Sequence, residues 1–166
     1  YTVGTIDRVQ ACRQFFQEKK FILIDRDGVL NVKPPKGTYV ENFNAFIWRE
    51  GSLSGLKFLK KHKFIVVLIT NQAGISRGMI DPHELEKIHF NMKNKLLNDG
   101  VEILEIYTCP HHWDENCECR KPKPGMFLQA SKDWSLKLDR TIYIGDDPRD
   151  CKAAYHADCR CVYIGD

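Results

Sequence analysis

The chain of 166 residues has no long hydrophobic run; its longest apolar stretch, Phe64 to Ile69, is far too short to cross a bilayer. Its opening residues lack the charged-then-apolar layout of a signal peptide, so a cytoplasmic setting without membrane attachment is expected. Internal repeats and low-complexity stretches are absent as well. An excess of one charge is also missing: the net charge is +3 and the lysines are scattered. The small basic cluster from Lys57 to Lys63 reads as a solvated helix face, and no nucleic-acid partner is expected. Cysteine is not scarce. Its count of seven is odd, however, and the chain is not a small secreted domain, so metal binding is a better expectation than a disulfide framework. At 43% hydrophobic and 28% charged, the sequence describes one globular domain with a real core.

Strand-like runs alternate with helical patterns along the chain. The strands are expected at Phe21 to Asp25, Phe64 to Thr70, Ile103 to Thr108, Thr141 to Gly145 and Arg160 to Ile164. The helices are expected at Leu53 to His62, Pro82 to Asn98, Pro124 to Trp134 and Pro148 to His156, three of them opening at or near a proline that suits the first turn. This alternation predicts an α/β fold with a parallel five-stranded sheet covered on both faces. Ligands of such sheets bind beyond the carboxyl ends of the strands, where Asp25, Thr70, Cys109 and Asp146 all fall.

Each of these strand ends carries usable chemistry. Asp25 and Asp27 leave β-structure two residues apart on one side, where they repel unless a cation joins them or one keeps a proton; Gly28 then lets the chain turn. The plainer alternative is a solvated Asp-Gly turn. Thr70-Asn71-Gln72 offers a hydroxyl and amide donors suited to phosphate oxygens, or else a helix cap. Arg120 and Lys121 supply two cations, or ordinary surface charge. Asp146, Asp147 and Asp150 follow the fourth strand. Either they cap and charge a helix, or Asp146 joins Asp25 around a hard cation such as magnesium.

In this order, Asp-Arg-Asp-Gly-Val-Leu-Asn, Ile-Thr-Asn-Gln-Ala-Gly-Ile, the Arg-Lys pair and Gly-Asp-Asp-Pro-Arg-Asp resemble the four signature motifs of haloacid-dehalogenase (HAD) superfamily phosphatases, over residues 21 to 166. The resemblance implies a three-layer Rossmann-like fold and a magnesium-dependent phosphoric monoester hydrolase. Asp25 would attack phosphorus and become an aspartyl-phosphate, and Asp27 would serve as general acid and then general base. Thr70 and Lys121 would hold the phosphoryl oxygens. Asp146, with Asp25 and the Asp27 carbonyl, would bind magnesium, supported by Asp150.

From Cys109 to Cys119 three thiols and two imidazoles crowd a short loop, a donor set that suits tetrahedral zinc. Cys109, His111, Cys117 and Cys119 are the expected ligands, with His112 less favoured. A reduced loop without metal is the alternative. Because Arg120 and Lys121 follow directly, a structural zinc here would fix the reach of both cations. Cys12, Cys151, Cys159 and Cys161 read as packing residues in a reducing cell, and the last two alternate along a strand, so they cannot share one ion.

The zinc loop within the four motifs looks like the subgroup that contains D-glycero-D-manno-heptose 1,7-bisphosphate phosphatases and histidinol-phosphate phosphatases, small enzymes without a large cap domain. The segment through Arg77-Gly78 resembles the heptose branch, which implies a phosphorylated sugar substrate, a place in heptose and lipopolysaccharide biosynthesis, and Arg77 as a cation for a second phosphate. The short zinc loop and Pro34-Pro35 resemble the histidinol-phosphate branch. Heptose phosphatases often carry lysine directly after the metal-binding aspartate of the last motif, and here that residue is Asp147. Residues 1 to 20 form a separate segment with a helical pattern. Tyr1 to Arg8 are similar to the closing segment of sugar nucleotidyltransferases, which implies the end of a preceding domain in a bifunctional protein; the alternative is an ordinary N-terminal helix packed on the sheet. Two other functions stay open at this point, a nucleic-acid 3'-phosphatase and a non-catalytic metal-binding module.

Overall fold

Alternation along the first strand determines the layering. In a computed structural model, which describes residues 19–165, β1 (Lys20–Ile24) sends Phe21 and Leu23 to one face of a sheet and Ile22 and Ile24 to the other, all four buried. A strand buried on both faces needs helices on both. They come from α1 (Ser52–Lys61), α2 (Pro82–Asn98), α3 (Gly125–Trp134) and α4 (Pro148–His156). The remaining strands are β2 (Phe64–Asn71), β3 (Ile103–Cys109), β4 (Ile142–Gly145) and β5 (Arg160–Tyr163). All pairings are parallel, in the order β3-β2-β1-β4-β5.

One core lies between the sheet and α1 and α2, where Leu56, Ile88, Met92 and Leu96 meet Ile22, Ile24, Val66 and Leu68. The other lies between the sheet and α3 and α4, where Phe127, Ala130, Ala153 and Ala154 meet Leu23, Val67, Ile69 and Tyr143. The expected three layers are therefore present. No further domain is inserted among the described residues, and none of their helices is long and apolar enough to cross a membrane.

This strand order places the site. The chain builds outward from β1 through β2 to β3, then returns to lay β4 against the opposite edge of β1, so the polypeptide diverges in two directions at the carboxyl ends of β1 and β4. Asp25 leaves β1 there and its amide donates to the Ile144 carbonyl at 2.9 Å, which anchors the start of the functional loop to β4. Two prolines start helices as expected. Pro82 follows the Asp81 cap of α2, and Pro148 follows Asp147, which forms a capping box with Asp150 at α4.

One sequence expectation is corrected. Cys151 and Cys161 are not separate packing residues: α4 lies over β5 so that their Cα atoms stand 5.3 Å apart, and the two sulfurs are bonded. Spacing along the chain hides this, because the pair is formed by a helix folding back on the strand that follows it. Cys159 is a buried free thiol. Cys12 and the segment expected at residues 1 to 20 lie outside the described residues, apart from Lys19 and Lys20, the latter being the first residue of β1.

Candidate active site

Lys121 is the buried hub of the strand-end cluster. Its side chain is 2% exposed, yet its ammonium stays charged because four oxygens surround it. It lies 2.9 Å from Asp25 Oδ2 and 2.7 Å from Asp150 Oδ1, and it donates to the Ile69 carbonyl at 3.0 Å and the Tyr143 hydroxyl at 2.7 Å. Burial lowers its pKa, but the two carboxylates outweigh that and the net shift is upward. Asn71 aims it. The Asn71 amide accepts from the Lys121 main-chain nitrogen at 3.1 Å and donates to the Lys121 carbonyl at 3.1 Å, stitching the end of β2 to the residue that follows the zinc loop.

Asp25 is set for a change of charge. Burial raises its carboxyl, and although Lys121 pulls it back, Asp150 and Asp27 repel it, leaving it pushed up to about 7. A cation at the site would favour its ionised, nucleophilic form. Asp27 is held the opposite way. Burial would push its carboxyl up, but the Arg26 fork (2.9 to 3.1 Å), Asn31 (2.9 Å) and Gln72 (2.7 Å) together bring it below the ordinary carboxylate range. Arg26 is itself fully buried and meets His89 of α2 at 3.2 Å. Gln72 also donates to the Thr70 hydroxyl at 2.9 Å, so its amide is committed to two site residues rather than to the cleft wall, and Asn71 likewise spends its amide on Lys121.

Asp146 completes the acidic group. Oxygens of Asp25, Asp146 and Asp150 lie within 4.8 Å of one another, and Asp146 Oδ1 is buried with no hydrogen-bond partner, an atom short of a cation. Gly28 makes the room, since at φ +88° a Cβ would stand 2.0 Å from Asp146 Oδ2. Asp150 has a different job. One of its oxygens accepts from the amides of Asp146 and Asp147 at 3.1 Å each, and the other faces Lys121 and Tyr143, so it holds the loop and the lysine. A hard cation therefore fits between Asp25 and Asp146.

A second donor set lies at the end of β3. Sγ of Cys109 is 3.6 Å from His111 Nδ1 and 3.7 Å from Cys117 Sγ; Cys119 Sγ is 3.1 Å from the same imidazole and 3.5 Å from Cys117. Ligands at zinc's usual bond lengths form a tetrahedron with edges of roughly 3.5–3.8 Å. The four expected ligands thus converge as zinc requires, whereas His112 turns away to cap a short 3-10 turn through Asp114. Arg120 donates to the His111 carbonyl at 3.3 Å, which ties its direction to this loop.

Together these elements wall a cleft of about 590 Å³ that holds Asp25, Asp27, Thr70, Lys121 and Asp146. At its mouth the Arg77 guanidinium lies 5.7 Å from the Tyr39 ring and 5.6 Å from the Trp113 ring, and Arg120 lines the same wall. Sequence reasoning missed Arg26, Lys33, Tyr143, His89 and Trp113. Only Arg26 carried a usable signal, a charged residue between two functional aspartates at the end of a buried strand.

Comparison with known proteins agrees with this geometry. The family model described as polynucleotide kinase 3 phosphatase matches residues 20–162. The D-glycero-beta-D-manno-heptose-1,7-bisphosphate 7-phosphatase of Pasteurella multocida (strain Pm70) is 38% identical over 141 residues, covering 81% of this chain and 75% of the relative. The alpha-anomer 7-phosphatase of Photorhabdus laumondii is 34% identical over 153 residues, with 87% and 82% covered. The crystal structure of D,D-heptose 1,7-bisphosphate phosphatase from B. bronchiseptica, complexed with magnesium and phosphate, superposes with a TM-score of 0.81 at 37% identity, covering 86% of this chain and 78% of that one.

Proposed function

The chain belongs to the HAD superfamily, in the family of heptose-1,7-bisphosphate 7-phosphatases, and from that premise we propose that it hydrolyses the 7-phosphate of D-glycero-D-manno-heptose 1,7-bisphosphate. The observation that carries the reaction type is the buried Asp25–Lys121–Asp150 network beside the unpartnered Asp146 oxygen. Asp25 attacks phosphorus, and the bond to the leaving oxygen breaks as an aspartyl-phosphate forms. Asp27, ionised in the free site, must first take up a proton, which the arriving phosphate dianion favours by like-charge repulsion; it then protonates that oxygen and afterwards takes a proton from the water that hydrolyses the intermediate. Lys121 and the Thr70 hydroxyl hold the phosphoryl oxygens while Asn71 and Asp150 keep Lys121 aimed. Asp25, Asp146 and the Asp27 carbonyl would hold magnesium, which when bound would supply charge neutralisation at the phosphoryl group and favour the ionised form of Asp25.

The second phosphate of such a substrate needs a cation at a distance from Asp25. Arg77 and Arg120 stand at the cleft mouth to provide it. Zinc at Cys109, His111, Cys117 and Cys119 fixes the loop that carries Arg120 and Trp113. The setting proposed is the cytoplasm.

Phosphate release with magnesium tests this reading on heptose 1,7-bisphosphate, its monophosphates, histidinol phosphate and a 3'-phosphorylated oligonucleotide. The bisphosphate is expected to be hydrolysed at C7 with the highest kcat/KM. Preferential turnover of histidinol phosphate or the oligonucleotide would overturn the substrate assignment, and no turnover of any would overturn the reaction. Asp25→Asn is expected to lower kcat by about 10⁴-fold or more while zinc stays near one per chain.

A further inference from the structure

Lys33 stands in the long loop after β1, in the wall of the cleft, with its side chain 48% exposed. Its ammonium lies 2.7 Å from Asp146 Oδ2 and 3.7 Å from Asp147 Oδ2. These two acids are not equivalent. Asp147 is already bound by the Arg149 side chain at 2.7 and 2.8 Å and by the Arg149 amide at 3.0 Å. Asp146, only 8% exposed, has Lys33 as its one ion-pair partner among the described residues, and its other oxygen has no partner at all.

A half-exposed ion pair of this kind is weak and exchangeable. A divalent ion between Asp25 and Asp146, bound at the free Oδ1, would repel the ammonium that Lys33 sets on Oδ2, because two cations repel at one carboxylate. The ammonium, released on a flexible four-carbon stem, remains in the same wall and faces the cleft that holds Asp25 and Thr70. Charge gives it a reason to stay. Asp147 adds a negative charge beside the place where a phosphate dianion must arrive, and Lys33 is near enough to offset it.

We propose that Lys33 is a tethered, exchangeable cation of this active site: it neutralises Asp146 before the metal binds and, once displaced, contacts the phosphoryl group of the substrate. This role rests on the phosphatase reading and assigns a further phosphate-binding residue to it.

Calorimetric titration of the full chain with magnesium alone, followed by inorganic phosphate added to the magnesium-loaded protein, separates the two claims. Lys33→Met is expected to bind magnesium about fivefold more tightly, having lost the competitor, and inorganic phosphate about tenfold more weakly. Its KM should rise by more than its kcat falls. Lys33→Arg, which keeps the charge, is expected to retain phosphate affinity within about threefold. If wild-type protein binds magnesium but either affinity is unchanged in Lys33→Met, the role of Lys33 is overturned and the phosphatase reading stands. If the wild-type protein binds no magnesium, both are overturned.

Discussion

Two aspartates two positions apart, Asp25 and Asp27, are shifted in opposite directions by their neighbours. Asp27 is ionised because Arg26, Asn31 and Gln72 all donate to it, whereas Asp25 has Lys121 to share with Asp150 and is pushed up to about 7. Lys121 is therefore the residue whose loss matters most for the buried charges. Lys121→Met is expected to abolish phosphatase activity and to cost roughly 3–5 kcal/mol in urea denaturation, since it strands two buried carboxylates. Unchanged stability would mean that Asp25 and Asp150 find water or each other's proton instead. His89 is a second pH-sensitive member of this network, beside Asp25. Burial and the neighbouring Arg26 lower its pKa to about 3, against an ordinary 6.5. Below pH 6.5 the unfolded chain therefore binds a proton that His89 of the folded chain refuses, so the contribution of His89 to stability rises with pH up to about 6.5 and falls below it, opposite in sign to that of Asp25. Relative to the parent, His89→Gln is expected to gain about 2 kcal/mol of stability between pH 7 and pH 5, read from denaturation midpoints of both proteins at the two pH values. At this scale the reactive aspartates were legible because they end an apolar strand. Tyr143 was not, because a tyrosine in an apolar strand reads as packing until the fold sets its hydroxyl against Lys121 and Asp150.

Individual loops and caps turn these residues into a site. Gly28 lets the loop after β1 pass under Asp146 with a left-handed backbone, so Gly28→Ala is expected to cost ~1–3 kcal/mol and to weaken magnesium binding by displacing the Asp146 carboxylate. A calorimetric magnesium titration checks it. The zinc loop sits between β3 and α3 and delivers Arg120 and Lys121 in register with Asn71. Cys117→Ser is expected to bring zinc content close to zero and to lower kcat/KM about 10–100-fold, with the far-ultraviolet dichroism of the sheet retained. A variant that loses zinc and keeps full activity would remove the loop from the catalytic argument. Both elements were readable in outline, a glycine after two acids and four soft donors within eleven residues. Geometry separates the two imidazoles, since His111 points into the thiols and His112 caps a turn.

The whole molecule contributes the divergence of strands at β1 and β4, without which Asp25 and Asp146 would lie on separate edges. It also joins Cys151 to Cys161 across α4 and β5, a contact that the local patterns of helix and strand do not encode. Element types and most of their ends followed from local composition, because apolar runs, prolines and caps act within a few residues of themselves. The five strands, the helices that cover them, the order of the motifs and the cluster of thiols and imidazoles are therefore readable along the chain. Which charges meet is a matter of packing: that Arg26 neutralises Asp27, that Asp150 serves Lys121, that Gln72 turns inward, and that Lys33 reaches Asp146. Ion pairs depend on distances of a few ångströms between residues as far as 113 positions apart, and only packing fixes those.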